Sequence, residues 1–215
     1  NLAGQKLIGI AEENDDISRM AVVLDIDETV LDNSPYQAAA IVEGFEYPEL
    51  WNEWCNQAVA RAVPGAVKFL TLADSLGFHI YYISNRKHDY VYESTLRNLK
   101  AVGSPQVLES NIMLRKVVSE SNPDPSDKEL RRQQVRNKGF DIVMLIGDNI
   151  GDFYTDNVSG EERLKKVKEL RKEFGSRFIV LPNAMYGNWT SAMGLNGASE
   201  TLIALLQEMA MKIDR

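Results

Sequence analysis

The chain has 215 residues, of which 44% are hydrophobic and 26% charged, and it carries a net charge of −7. That length suits one substantial domain, or one with a modest insertion, able to bury a full core without disulfides or a structural metal. No Lys/Arg surplus exists to neutralise a phosphate polymer, so nucleic acid is excluded as the expected partner, while a small anionic substrate stays open because a bound divalent cation can reverse the local field.

In chain order, "NLAGQKLIGI" is too polar for the core of a signal peptide. The chain starts at Asn1 rather than Met, which reads as the loss of something upstream, a signal or lipid-bearing leader or a simple trim. "AVVLD" (21–25) is a short apolar run ending in acids and reads as a buried strand. Residues 34–61 hold Tyr36, Phe45, Tyr47, Trp51 and Trp54 at helical spacing, a helical cap inserted into a core formed by 1–33 and 62–215. The single Cys55 excludes an intrachain disulfide and a cysteine metal cage, and beside Trp51 and Trp54 it reads as a small buried hydrophobe. Pro64 opens a helix that Gly77 closes.

"FHIYYIS" (78–84) is the second strand, followed by a helix up to Gly103, and "NIMLR" a short third. The loop "SESNPDPSD" caps the charged helix "KELRRQQVRNKG". "DIVMLIGD" (141–148) is the fourth strand, "EERLKKVKELRKEFG" a solvated helix with a Gly stop, and "RFIVLP" the last strand. A final helix places Leu202, Leu205, Leu206, Met209 and Ile213 on one face. Two Asn-x-Ser/Thr triplets, at Asn157 and Asn188, read as chance. Strands alternating with helices predict an α/β fold, a Rossmann-like parallel sheet flanked by helices on both faces. No Gly-x-Gly-x-x-Gly or Walker lysine loop supports a nucleotide-cofactor domain or a P-loop ATPase.

In such a sheet the site lies outside the carboxyl ends of the strands. Three strands deliver polar groups there: the first Asp25, Asp27, Glu28 and Thr29, the second Ser84, Asn85 and Arg86, the fourth Asp148, Asn149 and Asp152. Any one set alone reads as a turn; all three at the expected edge read as a site. Converging carboxylates call for a cation, and hard oxygen ligands suit Mg²⁺; His79 and His88 form no zinc motif. The metal would recruit an anion, best a phosphate ester. Asp25 is then the expected nucleophile and Asp27 the general acid and base. Asp148 completes the metal site, and Thr29, Ser84 and Asn85 hold the phosphoryl oxygens. Lys128 is the lysine best placed to neutralise phosphate charge.

These residues carry a resemblance. "LDIDET" is similar to the Asp-x-Asp-x-Thr signature of haloacid dehalogenase-type phosphohydrolases. "VVLDIDETVLDNSPY" with "VMLIGDNIGDF" resembles the paired signatures of the bacterial class C acid phosphatases, often outer-membrane lipoproteins. "RAVPGAV", "SNRK", "SDKELRR" and "LPNAMYGNW" follow in that family's order. The resemblance implies a backbone-carbonyl metal contact at Asp27 and a supporting acid, Asp152, that orients metal waters. It matches Ser84 and Asn85 to the second phosphate-binding motif and Lys128 to the third. Ile150 stands where Leu is usual, an apolar exchange. Implied too are hydrolysis of small phosphomonoesters, often nucleoside 5′-monophosphates, at acidic pH in the periplasm or at the outer membrane, with membrane contact only through a removed lipid anchor. A homodimer stays open. Tyr47, Trp51 and Tyr186 are candidates to stack on an aromatic leaving group, with core packing the alternative for Trp51. Three rivals use the same residues: a phosphotransferase, a receiver-like phosphoacceptor domain and an inactive binding module. Asp27 and the 34–61 insertion favour an enzyme over a receiver.

Overall fold

The structure, a computed structural model, describes residues 2–116, 124–154, 160–183 and 185–187. In chain order the elements are α1 (Leu2–Glu13), β1 (Met20–Leu24), β2 (Leu31–Asp32), α2 (Ser34–Glu43), α3 (Trp51–Gln57) and β3 (Arg61–Ala62). There follow α4 (Ala66–Leu76), β4 (His79–Lys87), α5 (His88–Ala101), β5 (Ile112–Arg115), α6 (Glu129–Asn137), β6 (Asp141–Gly147), α7 (Gly160–Glu169) and β7 (Phe178–Val180). Five strands form one sheet in the order β5-β4-β1-β6-β7, every pair parallel. The central strand is therefore β1, and its carboxyl end lies between those of β4 and β6.

Alternation along each strand feeds two cores. Val22 and Leu24, with Ile80, Tyr82, Met144 and Ile146, face one side, where Leu7, Phe69, Leu70, Ala73 and Leu99 of α1, α4 and α5 cover them. Ala21 and Val23, with Tyr81, Ile83, Ile142, Leu145 and Phe178, face the other, under Val135 of α6 and Phe153. A sheet buried on both faces explains why its strands read as unbroken apolar runs rather than alternating ones.

Three features differ from the sequence reading. The polar opening segment is a helix, α1, which buries Ala3 and Leu7 against α4. Helix α7 stops at Glu169, well before Gly175. Tight turns follow, with Glu173 N–H donating to Leu170 O and Ser176 N–H to Glu173 O. They swing Phe174 inward against Phe153 and Phe178, and this aromatic burial outweighs continuing a charged helix into solvent. Third, β2 and β3 form a two-rung antiparallel ladder pairing Leu31 with Ala62 and Asp32 with Arg61. Residues 33–60 leave and return through that ladder, carrying α2 and α3. The final helix, Asn157 and Asn188 lie outside the described residues.

In the insertion, Tyr36, Trp51 and Cys55 form a small core that Val91 of α5 completes. Cys55 is 2% exposed, and burial pushes its thiol up to about 12, so it packs as a hydrophobe as expected. Among the described residues no helix is long and apolar enough to cross a membrane.

Candidate active site

The site grows from the end of β1. Asp25 N–H donates to Ile146 O at 2.9 Å, so the strand pairing with β6 continues one residue beyond the apolar run. The chain then folds back at once: Val30 and Leu31 N–H both donate to Ile26 O, and Glu28 N–H donates to Leu31 O. Glu28 takes a left-handed backbone (φ 57) to make this turn, a conformation a non-glycine residue adopts at some cost. The turn sends successive acids in different directions.

On the β6 side, the strand ends at Gly147 and a single 3₁₀ turn (Ile150–Asp152) follows. Asp152 Oδ2 accepts the Asn149 N–H at 2.9 Å, folding its side chain back over the strand end. A Cβ at position 147 would lie 2.2 Å from that oxygen, so only glycine lets Asp152 sit here. Oxygens of Asp25, Asp148 and Asp152 consequently gather within 4.8 Å of one another. Lys128, next to the start of α6, reaches into the group. Its Nζ donates to Asp25 Oδ1 and, at 2.6 Å, to Asp152 Oδ1. Arg132 Nη1 donates to the carbonyls of Gly151 and Asp152 at 3.0 and 2.9 Å, holding the turn from behind.

Electrostatics agree with the crowding. Burial raises the Asp25 carboxyl well above its usual range; Lys128 opposes this, and Asp152 and Asp148 add to it. Burial and then Asp152 bring Asp148 up to about 6. Burial works against the Lys128 charge, but Asp152 and Asp25 outweigh it and keep the ammonium above its ordinary value. Three largely buried acids facing one lysine leave negative charge uncompensated, and a hard divalent cation fits such an all-oxygen donor set.

Asp27 points elsewhere. Arg86 grips it with Nη2 at 2.8 Å and Nε at 3.0 Å from Oδ1, Asn33 Nδ2 adds a third donor at 3.0 Å, and Ser84 Oγ donates to Oδ2 at 3.2 Å. Thr29, 1% exposed, sits 3.5 Å from Asp148 Oδ1. Asn85 is exposed, its amide nitrogen donating to Ser126 O at 2.9 Å and its oxygen accepting from Arg131 Nη2 at 2.6 Å. Trp51 is 8% exposed, edge-on to Tyr36 and Tyr47, with the Arg86 guanidinium over its ring. The packing role weighed for it describes this environment, which leaves little ring face for a ligand. Tyr47, by contrast, is half exposed and lies parallel to Tyr186, centroids 6.2 Å apart and planes within 7°.

Arg86, Asn33, Asn183 and Glu28 join the site without having been assigned a role from sequence. Asn183 Nδ2 donates to Asp148 Oδ2 at 2.8 Å. Tyr186 OH donates to Glu28 Oε1 at 3.1 Å, and burial pushes the Glu28 carboxyl up to about 7. Arg86 carried a readable signal: it follows Tyr82 and Ser84 at the two-residue period of a strand, which points a charge inward.

The family model of the HAD superfamily, subfamily IIIB (acid phosphatase), matches residues 5–189. The chain belongs to that family. Among solved structures, a class C acid phosphatase from Bacillus anthracis superposes with a TM-score of 0.79 at 39% identity, over 90% of this chain and 78% of that one. A class C acid phosphatase from the same organism with tungstate bound gives 0.80 at 37% identity, over 96% and 85%. The Stem 31 kDa glycoprotein of Glycine max is 33% identical over 172 residues, 76% of this chain and 57% of the relative. The Stem 28 kDa glycoprotein of the same plant is 34% identical over 148 residues, 67% and 56%. The chain thus spans a little over half the length of these curated relatives. The expected HAD-like α/β fold, a parallel sheet between two helical layers, is the fold of this acid phosphatase family member.

Proposed function

We propose that this HAD-family chain is a Mg²⁺-dependent acid phosphatase that hydrolyses small phosphomonoesters, nucleoside 5′-monophosphates among them, through a phosphoryl group carried on Asp25. The observation that carries the reading is the convergence of Asp25, Asp148 and Asp152 at the end of the central strand, with Lys128 bonded to Asp25 and Asp152. The acid phosphatase family membership supports the same chemistry.

Asp25, Asp148 and Asp152 would hold the ion, with Asp152 acting as a direct ligand or through water; Mg²⁺ would supply charge to offset the phosphoryl oxygens. A carboxylate oxygen of Asp25 attacks phosphorus and the ester P–O bond breaks. Asp27 gives its proton to the departing oxygen, so the alcohol leaves neutral. Water then attacks the aspartyl phosphate while Asp27 takes up its proton; inorganic phosphate departs and both carboxyl groups return to their starting states. Lys128 neutralises charge at the transferring group, and Thr29 and Ser84 lie beside the acids that flank it. Asn85, whose amide donates to Ser126 O, is the remaining candidate for the phosphoryl oxygens. Family resemblance supports a periplasmic or outer-membrane setting with a lipid anchor upstream of Asn1, and a homodimer is an assembly to test.

Assays of p-nitrophenyl phosphate, glycerol phosphate and a nucleoside 5′-monophosphate, in EDTA and then with added Mg²⁺, test this reading. Chelation is expected to abolish release of phosphate and Mg²⁺ to restore it. Full activity in chelator removes the metal, a single stoichiometric phosphorylation without turnover favours a receiver, and alcohol release exceeding phosphate release in glycerol marks a phosphotransferase.

The parallel Tyr47 and Tyr186 rings support an aromatic leaving group. Tyr186→Ala is expected to weaken a nucleoside monophosphate relative to glycerol phosphate by ~1–3 kcal/mol, the usual worth of stacking on a base. Equal losses on both esters return Tyr186 to a packing role.

A further inference from the structure

The grip on Asp27 is more elaborate than neutralising one acid requires. Arg86 is 2% exposed and Asp27 lies beside it at the site wall, so the pair is largely removed from water. A buried ion pair adds little net stability over a well-packed apolar pair, because desolvation offsets the attraction. Its geometry is what the arrangement secures. Arg86 Nη1 donates to Thr95 Oγ1 at 3.1 Å, and Thr95, fully buried, donates in turn to Val91 O at 2.7 Å. The Trp51 ring lies against the guanidinium, 5.9 Å from Cζ to centroid. The fork is thus fixed to α5 on one side and α3 on another before it meets Asp27.

The two carboxyl oxygens are treated unequally. Oδ1 accepts from Arg86 Nη2 at 2.8 Å, Arg86 Nε at 3.0 Å and Asn33 Nδ2 at 3.0 Å, which uses up its accepting capacity. Oδ2 accepts from Ser84 Oγ at 3.2 Å and from the flank of Nε at 3.2 Å. Ser84 Oγ is itself fixed, accepting the Arg86 N–H at 3.1 Å. Oδ1 is thus held by three donors, and Oδ2 by one direct donor and the shared edge of Nε, which leaves Oδ2 the less tightly held oxygen.

We propose that Arg86 is the positioning residue that fixes the Asp27 carboxyl for proton transfer through Oδ2, with Thr95 and Trp51 as its anchors. This rests on the proposed role of Asp27 as acid and base. Proton donation matters when the leaving group is an alkoxide and hardly at all when it is a stabilised phenolate. Leaving-group dependence therefore separates positioning from general support of the fold.

The experiment compares kcat/KM on glycerol phosphate and p-nitrophenyl phosphate for the Mg²⁺-loaded wild type, Arg86→Gln, Arg86→Lys and Thr95→Val, and for Arg86→Gln in an Asp27→Asn background. General acid catalysis is worth about 10²–10⁴-fold, so Arg86→Gln is expected to lose at least about 30-fold on glycerol phosphate and less than about threefold on p-nitrophenyl phosphate. Arg86→Lys keeps the charge without the fork and should fall between. In the Asp27→Asn background the same change should cost nothing further, because the partner it positions is gone. Losses equal on the two esters, or fully additive with Asp27→Asn, overturn the inference. Should Arg86→Gln fail to fold, the nearly isosteric Thr95→Val decides: the same selectivity at smaller size supports the inference, and an equal loss or none overturns it. A wild type that hydrolyses neither ester overturns the functional reading itself, an outcome distinct from a wild type active on both whose variants lose them equally.

Discussion

Asp25→Asn is expected to keep the fold, to form no phosphoenzyme and to lose turnover on the order of 10⁴–10⁶-fold, the scale seen when a covalent nucleophile is removed. The amide fills the same space but cannot attack phosphorus, and the remaining acids flank the position without replacing it. Acid-quenched reactions with labelled substrate would read both quantities. A variant that turns over normally, or still carries a phosphoryl group, moves the nucleophile elsewhere. Stability supplies a second readout. Burial raises the folded-state carboxyl of Asp25 above its unfolded value. A carboxyl raised in this way costs stability as pH climbs from the unfolded value upward, because the unfolded chain gives up the proton first. In chelator at neutral pH the Asn variant should therefore melt no lower than the wild type, and the advantage should vanish towards acid pH. A marked drop at pH 7 would mean that the contact with Lys128 outweighs the crowding of acids.

Lys128→Met carries the second large effect, and here stability and activity fall together. The ammonium sits between Asp25 and Asp152, all three side chains under a tenth exposed. Removing it leaves two buried carboxylates unpaired, which typically costs ~3–5 kcal/mol. Turnover should fall by about 10²–10³-fold from the loss of charge stabilisation alone. Lys128 titrates above its ordinary range, so its contribution is fully present below the unfolded lysine value and is lost only as pH rises through the raised one. The deficit should shrink below neutral pH for a separate reason, since Asp148, raised to about 6, then takes up a proton and relieves the crowding of acids. Denaturant melts at pH 5 and pH 7, with and without Mg²⁺, would test this. Wild-type stability and turnover in the variant would make Lys128 a bystander.

The large elements were legible because burial writes itself into sequence: "AVVLD" and "DIVMLIGD" are apolar on both sheet faces and end in acids, as inner strands with a site at their tips require. The acids were legible through their electrostatic cost, and Lys128 through the need to offset it. Short-range geometry was not. A two-residue strand such as Leu31–Asp32 has no period to detect. The polar opening segment hid α1, because only Ala3, Gly4 and Leu7 are buried and no acid marks its first turn. The strand period records that Arg86 points inward, but it records neither the pairing of Arg86 with Asp27 nor the left-handed turn at Glu28. Trp51 was ambiguous for a related reason: an aromatic ring near a site serves packing and stacking with the same residue type.

The ladder between Leu31–Asp32 and Arg61–Ala62 works as a clasp. Whatever length of polypeptide is threaded above it departs from the strand layer and rejoins it at one fixed doorway. The entropic penalty for lengthening such a closed loop grows only logarithmically, about 0.6 kcal/mol per doubling. New leaving-group preferences could thus be grafted into that span while the reacting atoms beneath keep their mutual distances, which makes this doorway the natural place to re-engineer selectivity.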